Sequence, residues 1–429
     1  MRKEKIIEIL ADWNFWEKKP ELGIARQSYL ERLENLAKTG QVVTVEGVRR
    51  SGKTTLLLQY INRLIEKGVE SRNTLYVNFE DPRFFGELSP KSLQEIYEAY
   101  LELKESKETP YLFLDEVQYV PAWEKFVRAL HERKEANIFV SGSSSKLLSA
   151  EFGSALTGRH VSLKVYPLNF REFLYFNRLE VKGKLDLVSN RARIKRFLRD
   201  YLEFGGFPKV VLSAEKNEIL VRYFNDVISR DVAVRYRVKN IEKLQALAKY
   251  LLTNTSSLVS FNRIKKFLHI SLDTVERFSY YLSYAYLVYF VKKFSYSLKE
   301  QEVNPRKVYC IDTGLRNITG FRISEDAGKL YENLVFLELE RRGRDVYYWK
   351  NKGECDFLVK RGRRVDEAIQ VCFDVEKEET RKRELKGLVE AVHKFKLSRG
   401  LIVTEDYESE ERVGQKRIEF VPLWKWLLQ

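Results

Sequence analysis

The stretch Gly47-Val-Arg-Arg-Ser-Gly-Lys53-Thr54 joins an apolar run, Gln41–Glu46, to an amphipathic run that begins at Thr54. It matches the pattern GxxxxGK[ST] in full, and a strand before it and a helix after it are the context in which that pattern binds phosphate. Glycines at its two ends let the backbone wrap closely and point N–H groups at phosphate oxygens. The start of the following helix adds a positive dipole end. The sequence therefore predicts a P-loop that binds a nucleoside triphosphate.

Four side chains are expected to carry the chemistry of this loop. Lys53 is positioned to reach the β- and γ-phosphates, and the Thr54 hydroxyl to hold Mg²⁺. Asp115 ends the buried run Tyr111–Asp115 and is expected to orient the water shell of the magnesium ion, while Glu116 follows it and can polarise an attacking water. The alternative is an ordinary strand end with two solvated acids. With the P-loop upstream, the sequence favours a Mg-dependent site for ATP or GTP that can hydrolyse the nucleotide.

Two further segments belong to the predicted site. The run Phe139-Val-Ser141-Gly-Ser-Ser-Ser145 ends another strand, and we expect its hydroxyls to sense the γ-phosphate. Arg159 is a candidate for stabilising the transferring charge, in its own chain or across the interface of a homo-oligomer, and a structural arginine is the alternative. The residues expected to contact the nucleotide are Gly47, Val48, Arg49, Arg50, Ser51, Gly52, Lys53, Thr54, Thr55 and Ser141.

The first half of the chain alternates short apolar runs with helical patterns. Runs of this kind are typical of strands buried on both faces of a parallel sheet, and the alternation predicts a doubly wound α/β domain. Helical patterns dominate from Arg191 to Ala285, and strands return near Lys307. These changes of pattern predict domains at 1–215, 216–305 and 306–429. The predicted strands of the first domain are Gln41–Glu46, Thr74–Phe79, Tyr111–Asp115, Asn137–Ser141 and Val161–Val165.

Composition restricts the partners. The chain has 429 residues and a formal net charge of +15, which suits a nucleic acid or an acidic membrane surface, although a solvated basic surface is an equal alternative. Its three cysteines lack CxxC spacing, so we expect neither a zinc site nor a disulfide framework. No apolar run follows the N-terminus, and no run is long enough to span a bilayer. We therefore expect a cytoplasmic protein without a membrane partner.

The middle of the chain resembles a winged helix. Helices are predicted at 241–254, 260–268 and 271–285, with Ser260 and Ser271 as N-caps, and a strand at 287–293 precedes a turn. Such a domain usually places its third helix in the DNA major groove. Here the third helix carries two acids and one arginine, whereas Arg263, Lys265 and Lys266 lie on the second. We expect contact with the DNA or RNA backbone, with docking of a protein as the alternative.

The C-terminal region resembles the PD-(D/E)xK nuclease core, a restriction-endonuclease-like α/β fold. Glu332 lies on a helix, Asp356 opens a strand, and Gln370 and Cys372 occupy the positions where a second acid and a lysine are expected. Glutamine brings no charge, and a thiol brings no cation and binds magnesium poorly. The candidates to replace the missing lysine are Lys350, Lys352 and Lys360. We expect a degenerate domain that binds nucleic acid or regulates the chain, with an ATP-licensed nuclease as the alternative.

A series of short motifs follows the P-loop. They are Val-Asn-Phe-Glu80-Asp81, Leu-Asp-Glu-Val-Gln118, Val-Ser-Gly-Ser-Ser, Leu-Thr-Gly-Arg159, Pro167-Leu-Asn-Phe-Arg-Glu-Phe, Gly205-Gly-Phe-Pro208 and Ile228-Ser-Arg-Asp231. In this order they resemble the archaeal and bacterial family of AAA-type P-loop ATPases that carry a nuclease-like C-terminal domain. The resemblance covers nearly the whole chain. It implies a multi-domain α/β fold whose first sheet has the strand order 5-1-4-3-2.

The leading hypothesis is a Mg-dependent ATPase that couples its nucleotide state to the C-terminal regions at nucleic acid. Glu116 would activate the water, and Lys53 with Arg159 would stabilise the transferring phosphoryl group. Two alternatives stay open at this point. One is a slow nucleotide-dependent switch that docks a protein partner, and the other is the ATP-licensed DNA nuclease.

Overall fold

The computed structural model describes residues 2–143, 158–319 and 327–429. They form two compact units, Met1–Val165 and Tyr166–Gln429. The first unit ends well before residue 215, where the sequence predicts a boundary. The helix Arg191–Phe204 packs on the helix Thr313–Thr319, which explains why the segment after Tyr166 belongs with later parts of the chain.

The first unit is built on a five-stranded parallel sheet in the order β2-β3-β4-β1-β5. This order confirms the predicted 5-1-4-3-2 arrangement. Every residue of β1 is buried, as expected for a strand that helices cover on both faces. The strands are β1 (Val42–Glu46), β2 (Thr74–Asn78), β3 (Tyr111–Asp115), β4 (Asn137–Gly142) and β5 (His160–Lys164).

Helices cover both faces of this sheet. Ile9 and Leu114 belong to the apolar cluster on one face, and Leu33, Leu57 and Val45 to the cluster on the other. The sheet is therefore the middle of three layers, and the loops at the carboxyl ends of its strands are left to form a site. The helices are α1 (Lys3–Trp13), α2 (Gln27–Ala37), α3 (Lys53–Glu66), α4 (Ser92–Leu103) and α5 (Trp123–Arg133), with 3₁₀ turns at Ser71–Asn73, Pro82–Phe84 and Val117–Tyr119.

The second unit begins with short and medium helices. The helix before Val227 continues into a π-helical segment, Val227–Val234, a rare geometry in which hydrogen bonds run from residue i to i+5. The helices are α6 (Phe170–Phe176), α7 (Lys184–Ser189), α8 (Arg191–Phe204), α9 (Pro208–Leu212) and α10 (Lys216–Asp226).

Four helices and a small antiparallel sheet follow. The sheet has the order β6-β8-β7, so β8 is its central strand. β8 lies just after the predicted boundary at 305 and pairs with strands that precede it, so the sheet extends a few residues beyond residue 305, and the boundary stays a prediction. Ser271 caps its helix as predicted, whereas Ser260 makes no side-chain cap bond. The elements are α11 (Ile241–Thr253), β6 (Ser257–Val259), α12 (Phe261–Leu268), α13 (Leu272–Tyr284), β7 (Val288–Val291), α14 (Leu298–Val303) and β8 (Arg306–Cys310).

A six-stranded mixed sheet completes the second unit in the order β13-β14-β12-β11-β10-β9. The strands β9, β10 and β11 form an antiparallel meander, and β12 and β14 add to it in parallel. The elements are α15 (Thr313–Thr319), α16 (Ala327–Arg341), β9 (Asp345–Lys350), β10 (Glu354–Arg361), β11 (Arg364–Cys372), α17 (Glu378–Lys394), β12 (Arg399–Thr404), β13 (Ser409–Val413), β14 (Lys416–Pro422) and α18 (Leu423–Trp426).

Among the described residues, no helix has both the length and the apolar character needed to cross a bilayer.

Helix α17 approaches the β10 hairpin at Gly387, where a Cβ atom would lie 2.1 Å from the carbonyl oxygen of Glu354. Gly387→Ala is expected to destabilise the protein by about 2 kcal/mol, because overpacking costs more than the helix gains from alanine. Gly328→Ala in α16 is the control, since its Cβ would meet only the Cβ of Phe373 at 3.8 Å. Denaturant unfolding of both variants measures the difference, and equal stability of the two would contradict this close packing.

Candidate functional site

The predicted P-loop lies at the carboxyl end of β1 and needs unusual backbone angles. Gly47 has a φ of 145° and Gly52 a φ of 99°, both in the region that favours glycine. A Cβ on Gly47 would also lie 2.1 Å from the carbonyl oxygen of Val165. Arg50 has a positive φ of 70°, which is uncommon for a residue with a side chain. The loop is thus held in a fixed shape against the neighbouring strand.

Lys53 folds back over this loop. Its side chain is only 4% exposed, and its Nζ donates to the carbonyl oxygens of Gly47 at 3.0 Å and Val48 at 3.2 Å. The same Nζ lies 4.0 Å from Oε1 of Glu116. The ammonium group therefore sits inside the curve of the loop, beside the carboxylate predicted to be the base.

Asp115 is the centre of the site. It is fully buried, and its Oδ2 accepts hydrogen bonds from the Thr54 hydroxyl at 2.7 Å and from the Tyr76 hydroxyl at 2.7 Å. Its Oδ1 accepts from the hydroxyl of Ser141. Three hydroxyls from β2, β4 and α3 thus converge on one carboxylate at the end of β3. This arrangement brings Thr54 and Asp115 together, as the sequence predicts.

Glu116 follows in a left-handed conformation, with a φ of 54°. Its backbone N–H donates to Oγ of Ser141 at 3.1 Å, and the Gln118 amide donates to its carboxylate. Burial raises the pKa of Glu116; Lys53 opposes this shift and the charge of Asp115 adds to it. A carboxylate with a raised pKa is a better proton acceptor, which is the property that a general base requires.

Ser141 contacts the two acids rather than pointing away from them. Its hydroxyl bridges the carboxylate of Asp115 and the backbone N–H of Glu116. The structure therefore gives it a positioning role, and the predicted contact with a γ-phosphate stays a prediction. Ser144 and Ser145, which the sequence groups with it, lie outside the described residues.

Other predicted loop residues differ in exposure. Val48 and Ser51 are buried, whereas Arg50 and Thr55 are exposed on the loop and the first turn of α3. Arg49 is buried, and its Nη1 donates to Oε1 of Glu80 at 2.9 Å. The carboxylate of Glu80, the acid of the Val-Asn-Phe-Glu motif, therefore helps to hold the P-loop through Arg49.

Two residues that no sequence motif indicates also support the site. Arg26 is buried, and its Nη1 donates to the carbonyl oxygen of Ser51 at 3.0 Å. Tyr76 lies on β2 and donates to Asp115. The sequence predicts that β2 neighbours β3, but it does not show that the side chain of Tyr76 points towards Asp115. The contact of Arg26 with the P-loop likewise depends on tertiary packing.

Arg159 is not near the P-loop. It precedes β5, and its carbonyl oxygen accepts from the backbone N–H of Val42 at 3.1 Å, at the amino end of β1. The length of β1 puts it roughly 15 Å from the loop. Its side chain forms an ion pair with Glu132 at 3.2 Å. The geometry contradicts a role at the nucleotide of its own chain, and a role across a subunit interface stays a prediction.

The residues present fit a magnesium ion. A threonine hydroxyl and a carboxylate are hard oxygen ligands, and here they lie 2.7 Å apart. The described residues contain no group of three or more His, Cys, Asp or Glu side chains that could hold a metal. That absence does not conflict with magnesium, since this ion is usually held by one or two protein oxygens together with nucleotide phosphates and water.

The predicted nuclease-like residues also come together. Glu332 on α16 and Asp356 on β10 both contact Lys307, at 3.1 Å and 2.8 Å. Gln370 accepts the backbone N–H of Asp356 at 3.0 Å. No sequence pattern points to Lys307. It lies on β8, and helix α15 separates it along the chain from α16, the helix that carries Glu332. The lysine of this cluster therefore lies earlier in the chain than the three candidates that the sequence suggests, Lys350, Lys352 and Lys360.

The three lysines proposed as replacements lie elsewhere. Lys350 and Lys360 pair with Glu354 and Asp345, at 3.1 Å and 3.2 Å. Lys352 is exposed on the β9–β10 turn. None of the three therefore takes the position of the missing lysine.

Arg26→Ala is expected to weaken nucleotide binding about tenfold, because the loss of a charged hydrogen-bond donor loosens the loop that receives the phosphates. Arg32→Ala on the exposed side of α2 is the matched control. Titration with a fluorescent ATP analogue measures the affinities. Wild-type affinity in a folded Arg26→Ala protein would show that the hydrogen bond to Ser51 does not hold the loop for its ligand.

Comparison with known proteins agrees with this geometry. A family model described as an AAA domain matches residues 39–174, and two models described as domains of unknown function match residues 195–325 and 327–426. The chain is also similar to AMPPCP-bound DnaA from Aquifex aeolicus, at 17% identity and a TM-score of 0.27, over 63% of this chain and 93% of that one. A TM-score this low supports no conclusion about the P-loop of this chain.

Two relatives match over almost their whole length. An uncharacterized protein of Methanocaldococcus jannaschii is 35% identical over 90% of this chain and 88% of its own. An uncharacterized protein of Haemophilus influenzae is 33% identical over 95% of this chain and 99% of its own. The chain therefore belongs to the same family as these two proteins, and its first domain is an AAA-type P-loop ATPase domain.

Proposed function

We propose that this chain is a Mg-dependent ATPase that couples its nucleotide state to the second unit, and that it acts at nucleic acid. The observation that carries the first part is the hydrogen bond between Thr54 and Asp115, with Glu116 and Lys53 beside it. The two halves of a P-loop hydrolase site thus lie within contact distance of each other. AAA domains bind nucleotides, which supports ATP as the ligand.

The chemistry follows from the positions of the side chains. The loop backbone and Lys53 would bind the β- and γ-phosphates and offset the charge that develops on them. Thr54 and Asp115 would hold magnesium, which supplies further positive charge at the phosphate oxygens when bound. Glu116 would accept a hydrogen bond from a water in line with the γ-phosphorus and draw its proton as the new P–O bond forms.

The rigid surroundings of the two acids serve the same reaction. Ser141 fixes both the carboxylate of Asp115 and the backbone of Glu116, so the base and the metal ligand keep a constant separation. Fixed dipoles of this kind need no reorganisation when charge develops, and that is why they lower the barrier. The left-handed backbone at Glu116 stores strain that the surrounding hydrogen bonds maintain.

Glu116→Gln is expected to lower ATP turnover at least about 100-fold while leaving ATP affinity close to that of the wild type, because the amide keeps its size but cannot take a proton. Phosphate release measures turnover, and titration with an ATP analogue measures binding. Glu98→Gln on the exposed face of α4 is the control. Unchanged turnover in Glu116→Gln would show that another group is the base.

Nucleic acid is the proposed partner of the helical part of the second unit. The elements α11 to β8 follow the order of a winged helix, with β8 between β6 and β7. Helix α12 exposes Arg263, Lys265 and Lys266, and the ring of Phe267 beside them is 64% exposed. Basic side chains contact phosphates, and an exposed aromatic ring can stack on an unpaired base.

The third helix fits this role less well. On α13 the exposed residues include Asp273 and Glu276, and Arg277 pairs with Asp273 at 3.5 Å. Acidic groups repel phosphates, so sequence reading from the major groove is not supported by this face. We therefore propose backbone contact through α12, with little preference for sequence.

Replacing Arg263, Lys265 and Lys266 by alanine is expected to weaken binding of single-stranded DNA or RNA. The salt dependence should also flatten, by about 0.7 in log–log slope for each phosphate that no longer has a basic partner. The control replaces Lys377, Lys382 and Lys386, which are exposed on or beside α17. Fluorescence anisotropy at several salt concentrations measures both, and ATP turnover with each nucleic acid tests the coupling. Binding that is weak and insensitive to salt in the wild type would exclude this partner.

A further inference from the structure

A buried lysine lies among the acids of the nuclease-like region. Lys307 on β8 is 3% exposed. Its Nζ lies 3.1 Å from Oε1 of Glu332 on α16, and 3.0 Å and 2.8 Å from Oε1 of Glu354 and Oδ1 of Asp356 on β10. Three carboxylates from two elements thus surround one positive centre. A divalent cation also draws several carboxylates together, but this cluster is not a group that could hold a metal as it stands, because the ammonium group of Lys307 lies between its acids.

From this geometry we propose that the ammonium group of Lys307 takes the place of a divalent metal, so that this cluster binds no metal and cleaves no phosphodiester. An ammonium group has three N–H donors and no acceptor, and here three carboxylates surround it. Its Nζ donates to Glu332 and Asp356 and forms an ion pair with Glu354 at 3.0 Å, so a water or a phosphate would have to compete with these contacts. The proposal does not depend on the ATPase activity of the first unit.

Further hydrogen bonds engage the oxygens of Glu332 and Asp356. Oε1 of Glu332 accepts a hydrogen bond from the Tyr309 hydroxyl at 2.7 Å as well as from Lys307. Oδ2 of Asp356 accepts the backbone N–H of Val371 at 3.0 Å. A metal would have to displace these donors, and a buried donor left without a partner costs free energy.

The two positions that depart from the nuclease pattern fit this interpretation. The side-chain oxygen of Gln370 accepts the backbone N–H of Asp356 at 3.0 Å, and its amide nitrogen donates to Glu384. A metal at this oxygen would have to share it with the backbone N–H of Asp356. Burial raises the pKa of the Cys372 thiol to about 12, so this side chain stays neutral and supplies neither a cation nor a thiolate.

Lys307 is fixed in this position. Its backbone pairs with Leu258 on β6 and with Val291 on β7, so strands hold it on both sides. Burial alone would lower its pKa, but the charges of Asp356, Glu332 and Glu354 raise it well above its ordinary value. The neighbouring acids thus favour the charged ammonium form of Lys307.

The cluster also joins two parts of the second unit. Lys307 belongs to the β6-β8-β7 sheet, whereas Asp356 belongs to the mixed sheet. A bridge between Lys293 and Tyr348 and a hydrogen bond from the Tyr348 hydroxyl to the carbonyl oxygen of Pro305 connect the same two sheets nearby. The ion cluster therefore has a structural function, which is to fix the winged-helix-like part on the nuclease-like part.

The test uses the full chain without nucleotide. Lys307→Ala removes the cation and leaves space, so its melting temperature is expected to fall by roughly 10 °C. Millimolar Mn²⁺ or Mg²⁺ should then restore much of the loss, because a metal can enter the space between the carboxylates. Lys307→Met is the matched control, since it removes the charge but fills the volume, and it should lose stability without rescue by metal.

Two double variants test whether the metal that restores stability binds within this cluster. Lys307→Ala combined with Asp356→Asn should not respond to Mn²⁺, whereas Lys307→Ala combined with Lys360→Ala, a substitution at the far end of β10, should respond as Lys307→Ala does. A folded Lys307→Ala protein with no response to metal would overturn the claim that the ammonium group stands in for a metal.

Wild-type measurements decide the proposal even if Lys307→Ala does not fold. Mn²⁺ binding, followed by electron paramagnetic resonance, should be the same in the wild type and in Asp356→Asn. Plasmid DNA incubated with the wild type, ATP and Mg²⁺ or Mn²⁺ should stay intact. Binding of Mn²⁺ that Asp356→Asn abolishes, or cleavage that the same variant abolishes, would instead identify Lys307 as the lysine of an active nuclease.

Discussion

The carboxylate of Asp115 holds the first unit together at its functional edge. It ends β3 and accepts hydrogen bonds from hydroxyls on β2, β4 and α3. The helix after the P-loop and the strands β2, β3 and β4 are therefore linked through one buried carboxylate. A buried carboxylate is stable only if hydrogen bonds or cations satisfy it. This requirement explains why Thr54, Tyr76 and Ser141 point to the same place, and why Glu116 next to it has a constrained backbone.

Much of the first unit could be predicted from the sequence, because its signals are local. The P-loop spacing specifies a strand, a loop and a helix, and continuous apolar runs such as Val42–Glu46 mark strands buried on both faces. Asp115 and Glu116 follow such a run directly, which places them at the carboxyl edge. Strand β6, with three residues, is too short to show a period, and β13 is a largely charged edge strand, so neither is visible in the sequence pattern.

The residues that sequence reasoning misplaced depend on contacts between distant segments. Arg159 follows a motif of glycine and threonine that suggests a catalytic loop, but strand pairing carries it to the amino end of β5. Lys307 reaches Glu332 and Asp356 only because β8 is the central strand of a sheet that packs beside β10. No spacing rule predicts a cation that comes from another structural element. The pairing of β8 with the earlier strands β6 and β7 is a contact of the same kind, which the sequence does not show.

The lysine-centred cluster has a consequence for how the chain responds to its surroundings. A fold whose second unit carries its own cation keeps that unit assembled when free magnesium falls, as happens when ATP or a chelator binds the ion. In the proposed ATPase, magnesium would act together with the nucleotide at Thr54 and Asp115. The second unit would thus stay assembled whether or not free magnesium is present, and the nucleotide state of the first unit would be coupled to an intact structure.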